Sequence, residues 1–168
     1  MNNIYLIGFM GTGKSTVAKK LQRFLPFQVV EMDEAIERVE AMSIPEIFAQ
    51  KTEAYFRKVE KEVISELADE EDLIIALGGG AFEDEETRNI LEKTGKVIYL
   101  KSSVERLLNR IKDDKNRPLL QCDNPKDKLE ELLKMREPNY LKAEFVIETD
   151  NKEINDIVNN IVELMEFT

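Results

Sequence analysis

The sequence predicts an α/β fold in which a parallel β-sheet lies between two layers of helices. Short apolar runs alternate with amphipathic stretches along all 168 residues. The runs are rich in β-branched and aromatic residues, as strands are, and no repeat or low-complexity tract interrupts the alternation. Strands separated by helices favour a three-layer α/β/α arrangement. In such folds ligands bind beyond the carboxyl ends of the strands, so the residues that follow each strand are the candidate site.

Each element follows from its local pattern. Apolar runs of three to six residues predict five strands, at 4–9, 28–32, 73–77, 97–100 and 145–147. The amphipathic stretches between and after them predict helices at 14–25, 33–39, 52–68, 85–93, 104–112, 126–135 and 153–166.

Length and charge limit the organisation and the partners. A chain of 168 residues with 42% hydrophobic composition indicates one domain over 1–168. Acidic residues outnumber basic ones by 34 to 24, for a net charge of −10. This charge disfavours nucleic acid or an anionic membrane as the main partner. Anionic ligands would need local clusters of Arg and Lys.

The residue types present also restrict the chemistry. Cys122 is the single cysteine, so an intrachain disulfide is excluded, and no signal-peptide core or membrane-spanning run is evident. We therefore expect a cytoplasmic protein. The chain contains no histidine, which excludes His-based metal sites and Ser-His or Cys-His catalysis. Any catalysis must use carboxylates, Lys, Arg and a metal.

The first predicted strand leads directly into a phosphate-binding loop. The segment 8–16 reads GFMGTGKST and matches the G-x-x-x-x-G-K-[ST] pattern between a strand and a helix. Its backbone N–H groups would surround a phosphate, Lys14 would reach the β- and γ-phosphate oxygens, and Ser15 would offer a hydroxyl to Mg²⁺. The predicted ATP-binding residues of the loop are Gly11, Thr12, Gly13, Lys14, Ser15 and Thr16.

The second predicted strand ends in two carboxylates, Glu31 and Asp33. Alternation along a strand places both on one side, where one could serve the metal and the other an acceptor hydroxyl. The third strand carries no carboxylate, so the metal role would fall to Glu31 or Asp33. Alternatively, Asp33 is only the N-cap of the helix that follows.

Two further features lie around the third strand. The glycines at 78–80 allow a backbone to approach a ligand closely, or they form a flexible turn. Arg57 and Glu60 are three residues apart on a predicted helix and can pair along one face. An Arg held in this way can present its planar fork to a carboxylate or phosphate, although most such pairs are solvated.

Two more arginines lie towards the end of the chain. The polar segment 112–124 predicts a mobile loop, in which Arg117 could act as a lid residue or lie in a disordered connector. Arg136 comes shortly before Pro138, which we expect to end its helix. An Arg at that place either complements the helix dipole or binds an anion.

Taken in order and spacing, these motifs make the chain resemble the shikimate kinases from end to end. The phosphate loop alone specifies a nucleotide-binding superfamily. The later motifs narrow the choice of the molecule that accepts the phosphoryl group. They are the pair Glu31 and Asp33, F-R-K-V-E at 56–60, L-G-G-G at 77–80, R-P-L-L at 117–120 and R-E-P-N-Y at 136–140.

The resemblance implies transfer of the ATP γ-phosphoryl group to the 3-hydroxyl of shikimate, in aromatic amino acid biosynthesis. It also implies a P-loop fold like that of the nucleoside monophosphate kinases, with a five-stranded parallel sheet, an acceptor-binding region at 31–60 and a lid at 112–124. Mg²⁺ is the expected metal. We expect a monomer.

The resemblance also implies roles for individual residues. For the acceptor, Arg57 and Arg136 would bind the carboxylate, and Asp33 and Gly79, with Gly78 and Gly80 beside it, would bind hydroxyls. For the nucleotide, Arg110 would lie against the adenine and Arg117 would close over the phosphates. Ser15 would bind the metal directly and Glu31 through water. The expected catalytic residues are Lys14, Asp33 and Arg117.

Two positions depart from the family pattern. Glu31 stands where the family usually has Asp, which could weaken or reroute the contact to Mg²⁺. Thr52 stands where Gly is usual and can serve as a helix N-cap. Two alternatives stay open from the residues alone: a kinase of another small acceptor, such as gluconate or a nucleoside monophosphate, and a nucleotide-binding module without turnover.

Overall fold

The computed structural model describes residues 3–111 and 123–166. Over these ranges the chain forms five strands: β1 (Asn3–Ile7), β2 (Gln28–Glu31), β3 (Leu73–Ala76), β4 (Gly95–Lys101) and β5 (Phe145–Glu148). The α-helices are α1 (Lys14–Leu21), α2 (Met32–Glu40), α3 (Ile44–Gln50), α4 (Glu53–Ala68), α5 (Glu85–Thr94), α6 (Val104–Ile111), α7 (Pro125–Tyr140) and α8 (Ile154–Glu166). A 3₁₀ turn, Ala81–Glu83, precedes α5.

The strands form one sheet in the order β2-β3-β1-β4-β5, and each pair of neighbours is parallel. Because all strands run the same way, their carboxyl ends lie along one edge. The order changes direction around β1: β2 and β3 lie on one side of it, and the chain then crosses β1 to form β4 and β5 on the other. This arrangement confirms the predicted α/β fold and places the loop after β1 at the centre of the edge where ligands bind.

The sheet is covered on both faces, which explains why its strands are mainly apolar. All five residues of β1 are buried. Ile4 and Leu6 pack with α1 and α8 on one face, whereas Tyr5 and Ile7 pack with α4, α5, α6 and α7 on the other. Successive side chains of a strand point to opposite faces, so both must be apolar when helices cover both.

All five predicted strands are present, with ends that differ by at most two residues from those expected. The helix α3 is an element that the sequence reasoning missed. Its start carries a capping box, in which Ser43 accepts a hydrogen bond from the backbone of Glu46 and the Glu46 side chain accepts one from the backbone of Ser43. Pro45 lies in its first turn. The S-x-x-E spacing followed by apolar residues was the signal available.

The expectation that Pro138 ends its helix is wrong. The helix α7 continues through Pro138 to Tyr140. A proline inside a helix removes the bond to the carbonyl four residues earlier, and its ring crowds that carbonyl. Side chains of the last turn compensate: Asn139 Nδ2 donates to Glu83 Oε2 at 2.9 Å, and the buried Tyr140 hydroxyl donates to the carbonyl of Gly79.

Residues 112–122, which make up most of the predicted lid and include Arg117 and Cys122, lie outside the described residues. The single-domain assignment and the lid therefore stay predictions. Within 3–111 and 123–166, none of the helices combines the length and the apolar character needed to cross a lipid bilayer.

Candidate active site

A cavity of about 570 Å³ opens beyond the carboxyl ends of β1, β2 and β3. It contains most of the residues that the sequence analysis singled out, although they come from six separate stretches of the chain. The predicted residues that line it are Gly11, Gly13, Lys14, Ser15, Glu31, Asp33, Arg57, Gly78, Gly79, Gly80, Arg110 and Arg136.

The three other predicted residues do not line this cavity in the described structure. Thr12 is buried, and its hydroxyl donates to the carbonyl of Phe9 at 3.0 Å. Thr16 is exposed and borders a separate hollow with Lys19 and Lys20 of α1 and with Arg23 just after it. Arg117 lies outside the described residues. The nucleotide-binding roles of all three stay predictions.

The phosphate loop has the geometry that its glycines permit. Gly13 has φ +90° and caps the start of α1, a conformation that L side chains rarely adopt. The first turn of α1 therefore faces the cavity with N–H groups that lack helical partners. Lys14 Nζ donates to the carbonyls of Gly8 (2.7 Å) and Phe9 (3.0 Å), so its ammonium group is held against the loop.

Arg110 reaches the phosphate loop from α6. Its Nη1 donates to the carbonyl of Gly11 at 3.1 Å, and a Cβ on Gly13 would lie 3.1 Å from the same nitrogen. Partial burial lowers the pKa of Arg110, and Arg106 nearby lowers it further while Asp150 opposes this. A guanidinium stays protonated despite such shifts, so Arg110 brings a positive charge to the nucleotide end of the cavity.

Ser15 and Glu31 form a preassembled polar pair. Ser15 Oγ donates to Glu31 Oε2 at 2.8 Å, while Glu31 Oε1 is buried and has no hydrogen-bond partner among the described residues. A buried carboxylate oxygen without a partner is costly unless a cation or donor compensates it. Mg²⁺ is commonly held by one or two protein oxygens together with substrate phosphates and water. The pair therefore fits the expected metal.

Asp33 lies inside α2 and not at its cap. The cap position is taken by Glu31, which makes no side-chain capping bond. The interpretation of Asp33 as an N-cap is therefore wrong. Its carboxylate faces the cavity, where a Cβ on Gly78 would lie 3.6 Å from Asp33 Oδ1.

Arg57 is held at the other end of the cavity by Glu60. Arg57 Nη1 donates to Glu60 Oε1 at 2.7 Å, which confirms the predicted pairing on α4. Glu53 Oε1 lies 3.9 Å from Nη2, and the guanidinium also lies over the ring of Phe56. A Cβ on Gly80 would come within 2.3 Å of the Arg57 guanidinium, so a side chain there would displace the guanidinium from this position.

Glu60 is unusual because it is a buried carboxylate, only 4% exposed. Its Oε2 has no hydrogen-bond partner within the described residues. Burial raises the pKa of Glu60, the ion pair with Arg57 lowers it, and the nearby Asp33 raises it. Placing this carboxylate behind Arg57 fixes the position of the guanidinium.

Arg136 approaches from α7. Its guanidinium lies over the ring of Phe9 and beside the Tyr140 hydroxyl. A Cβ on Gly79 would lie 2.9 Å from Arg136 Nη1, so the backbone at 79 and this guanidinium are in close contact. Arg57 and Arg136 thus enter the same end of the cavity from two different helices.

An apolar wall completes this end, and the sequence reasoning missed it. Ile44 and Phe48 come from α3 and Phe56 from α4, and the two phenylalanine rings are 4.8 Å apart. The capping box that predicts α3 would have placed Ile44 and Phe48 on a helix, but nothing in their residue types marks them as ligand contacts.

Within the described residues, four cationic side chains line the cavity of a protein whose net charge is −10: Lys14, Arg57, Arg110 and Arg136. Such a cluster attracts anions against the overall charge. The arrangement can hold a polyphosphate at the loop and a second anion at the far end. Carboxylates between the two ends can orient a hydroxyl.

Comparison with known proteins gives one consistent result. The family model for shikimate kinase matches residues 10–166. A shikimate kinase of Francisella tularensis subsp. holarctica is 44% identical over 161 residues, covering 95% of this chain and 92% of that protein. One of Thermodesulfovibrio yellowstonii is 40% identical over 166 residues, covering 99% and 96%.

Among solved structures, a shikimate kinase from Acinetobacter baumannii in complex with shikimate superposes with a TM-score of 0.92. It is 42% identical, and the match covers 98% of this chain and 93% of that one.

Proposed function

The chain belongs to the shikimate kinase family, and from that membership we propose how its cavity transfers the γ-phosphoryl group of ATP to the 3-hydroxyl of shikimate. It is an ATP-dependent kinase that acts on a hydroxyl of shikimate. The observation that carries the assignment of residues is the cavity itself, which joins a phosphate loop at one end to two arginines at the other.

At the nucleotide end, the first turn of α1 and the loop N–H groups bind the β- and γ-phosphates. Lys14 exchanges its contacts with the carbonyls of Gly8 and Phe9 for phosphate oxygens, where its charge is needed in the transition state. Arg110 flanks the loop on the side of α6. Its proposed place is against the adenine.

Ser15 and Glu31 would hold Mg²⁺ beside these phosphates. The hydroxyl of Ser15 would bind the ion directly and the carboxylate of Glu31 through water. When bound, the ion supplies positive charge that neutralises the β- and γ-phosphate oxygens. The buried Oε1 of Glu31 supports this assignment, since a nearby cation would remove its desolvation cost.

At the acceptor end, Arg57 and Arg136 bind the carboxylate of shikimate. Both present N–H donors in a planar fork that matches a carboxylate. Glu60 and Phe56 hold Arg57 in place. Ile44 and Phe48 pack against the apolar face of the shikimate ring. Backbone groups at 78–80 bind ring hydroxyls at close range.

Asp33 orients the 3-hydroxyl towards the γ-phosphate. Phosphoryl transfer passes through a loose transition state, in which alignment and charge neutralisation contribute more than a strong base. Asp33 therefore acts first by position, and it accepts the hydroxyl proton as the bond to phosphorus forms. Arg117, in the predicted lid, would add positive charge on the opposite side.

The remaining expectations rest on the sequence alone. We expect a monomer in the cytoplasm, and the negative charge disfavours nucleic acid or an anionic membrane as partner. These stay predictions.

The direct test measures ADP release from MgATP with shikimate, gluconate and nucleoside monophosphates in parallel, and identifies the product by ³¹P NMR. We expect turnover with shikimate alone and phosphate on its 3-oxygen. Turnover with gluconate or a nucleoside monophosphate instead would assign the acceptor end to another ligand. ATP binding without turnover of any acceptor would support a nucleotide-binding module.

A further inference from the structure

Tyr140 is buried where the last turn of α7 meets the glycine segment after β3. Its side chain has no solvent exposure. Its hydroxyl donates a hydrogen bond to the carbonyl of Gly79. A buried phenol needs such a partner, and here the partner is the backbone of a residue that lines the acceptor end of the cavity.

The same hydroxyl contacts Arg136. Arg136 and Tyr140 are four residues apart on α7 and therefore lie on one face of the helix. The guanidinium of Arg136 lies beside the Tyr140 hydroxyl. A Cβ on Gly79 would lie 2.9 Å from Arg136 Nη1 and 3.5 Å from Tyr140 Oη, so the three groups meet at one point.

The groups at this point are chemically complementary. A phenol has one proton to donate and lone pairs that accept. Tyr140 gives its proton to the carbonyl of Gly79, so its lone pairs are available to the neighbouring guanidinium of Arg136. Burial raises the pKa of Tyr140 to about 12, although Arg136 lowers it in part. The phenol therefore keeps its proton across the pH range of ordinary assays.

We propose that Tyr140 is a positioning residue for the acceptor, whose hydroxyl holds the guanidinium of Arg136 and the peptide of Gly79 in one fixed arrangement. This inference rests on the proposed function, in which both groups bind shikimate. It also gives a physical role to the last position of the R-E-P-N-Y motif. Tyr140 itself does not touch the reacting atoms.

The aromatic ring of Tyr140 is held independently of its hydroxyl. It packs against the ring of Tyr99 with centroids 5.0 Å apart, inside the apolar core. Removing only the hydroxyl should therefore leave the ring in place. Tyr99 offers a matched control, because it is equally buried but its hydroxyl interacts with Glu137, which does not line the cavity.

The experiment compares Tyr140→Phe and Tyr99→Phe with the unmodified chain in steady-state kinetics. For Tyr140→Phe we expect the KM for shikimate to rise about tenfold, the upper end of the scale for losing one hydrogen bond, here the one to the carbonyl of Gly79. The KM for MgATP should stay within about twofold and kcat within about threefold, because Lys14 and the phosphate loop are untouched. Tyr99→Phe should leave both KM values within about twofold.

Three kinetic results would overturn the inference: an unchanged KM for shikimate in Tyr140→Phe, an equal rise in both KM values, or the same rise in Tyr99→Phe. The last two would indicate a general structural role. If the unmodified chain does not phosphorylate shikimate, the proposed function fails first, and the kinetics of the variants are not interpreted.

A second measurement uses the native chain and does not depend on the folding of Tyr140→Phe. The chain has four tyrosines, which ¹³Cζ labelling resolves by NMR. The Phe variants of Tyr5, Tyr55 and Tyr99 assign the Tyr140 signal by elimination. We expect shikimate to shift the Tyr140 signal and not that of Tyr99. A Tyr140 signal that shikimate leaves unchanged would contradict the inference.

Discussion

Arg57→Ala should weaken acceptor binding and also destabilise the fold, and the structure separates the two effects. Arg57 donates to Glu60 Oε1 at 2.7 Å, and Glu60 is only 4% exposed. Removing the guanidinium leaves a buried carboxylate in which neither oxygen has a partner among the described residues, since Oε2 already lacks one. The change therefore affects both the cavity and the core beneath it.

The magnitudes follow from the two roles. Loss of a hydrogen bond to a charged ligand costs about 1.5–3 kcal/mol, so the KM for shikimate should rise about 10- to 150-fold. Breaking a buried ion pair costs about 3–5 kcal/mol. Because Arg57 is itself 34% exposed, we expect the lower end, about 3 kcal/mol, in the free energy of unfolding.

The double variant Arg57→Ala/Glu60→Gln separates these effects. It removes the stranded charge, so urea denaturation should show most of the lost stability restored. Steady-state kinetics should still show the raised KM for shikimate, with the KM for MgATP nearly unchanged. If the double variant recovers the KM for shikimate, Arg57 acts only through Glu60, and its assignment to the carboxylate is wrong. Equal rises in both KM values would place Arg57 outside the acceptor site.

Three further predictions concern other groups of the cavity. Lys14→Ala should lower kcat by about a hundredfold or more, because it removes the positive charge beside the β- and γ-phosphates. The circular dichroism spectrum should stay unchanged. A near-normal rate would refute the phosphate-loop assignment. Glu31→Asp should raise the half-saturating Mg²⁺ concentration about fivefold, because the shorter side chain loses the 2.8 Å bond from Ser15, worth about 1 kcal/mol; an unchanged metal titration would make Glu31 structural. The pKa of Glu60 is raised by burial above its usual 4.5, so the folded state binds the proton more tightly than the unfolded state does. Relative to Glu60→Gln, the free energy of unfolding of the unmodified chain should therefore fall as pH rises from about 4.5 through the raised value; a constant difference in urea denaturation across that range would show that Glu60 is not desolvated.

Much of the fold could be predicted because local pattern and tertiary environment agree. The strand β1 is apolar from Ile4 to Ile7 since helices cover both faces of the sheet, and the phosphate loop follows it directly. Thr52 was predicted as an N-cap, and its hydroxyl accepts from the backbone of Tyr55 at 3.1 Å. The pairing of Arg57 with Glu60 followed from helical spacing alone.

Other features depend on contacts that no local pattern contains. Pro138 lies inside α7 because Asn139 and Tyr140 tie that turn to residues more than fifty positions earlier. The burial of Glu60 could not be predicted, since a carboxylate on an amphipathic helix is ordinarily solvated. For Pro138 and Glu60 the missing information is which distant element packs against the residue. The helix that carries Ile44 and Phe48 differs, since its capping box is a local signal, and only the place of these two residues in the cavity wall depends on the tertiary fold.

The most direct test of the two-ended cavity is kcat/KM for shikimate compared with its primary carboxamide. The carboxamide keeps the ring and the hydroxyls but removes the negative charge that Arg57 and Arg136 are proposed to bind. We expect kcat/KM to fall about a hundredfold or more for the carboxamide, with the KM for MgATP unchanged. Equal kcat/KM values for the two acceptors would contradict the assignment of these arginines to the acceptor carboxylate.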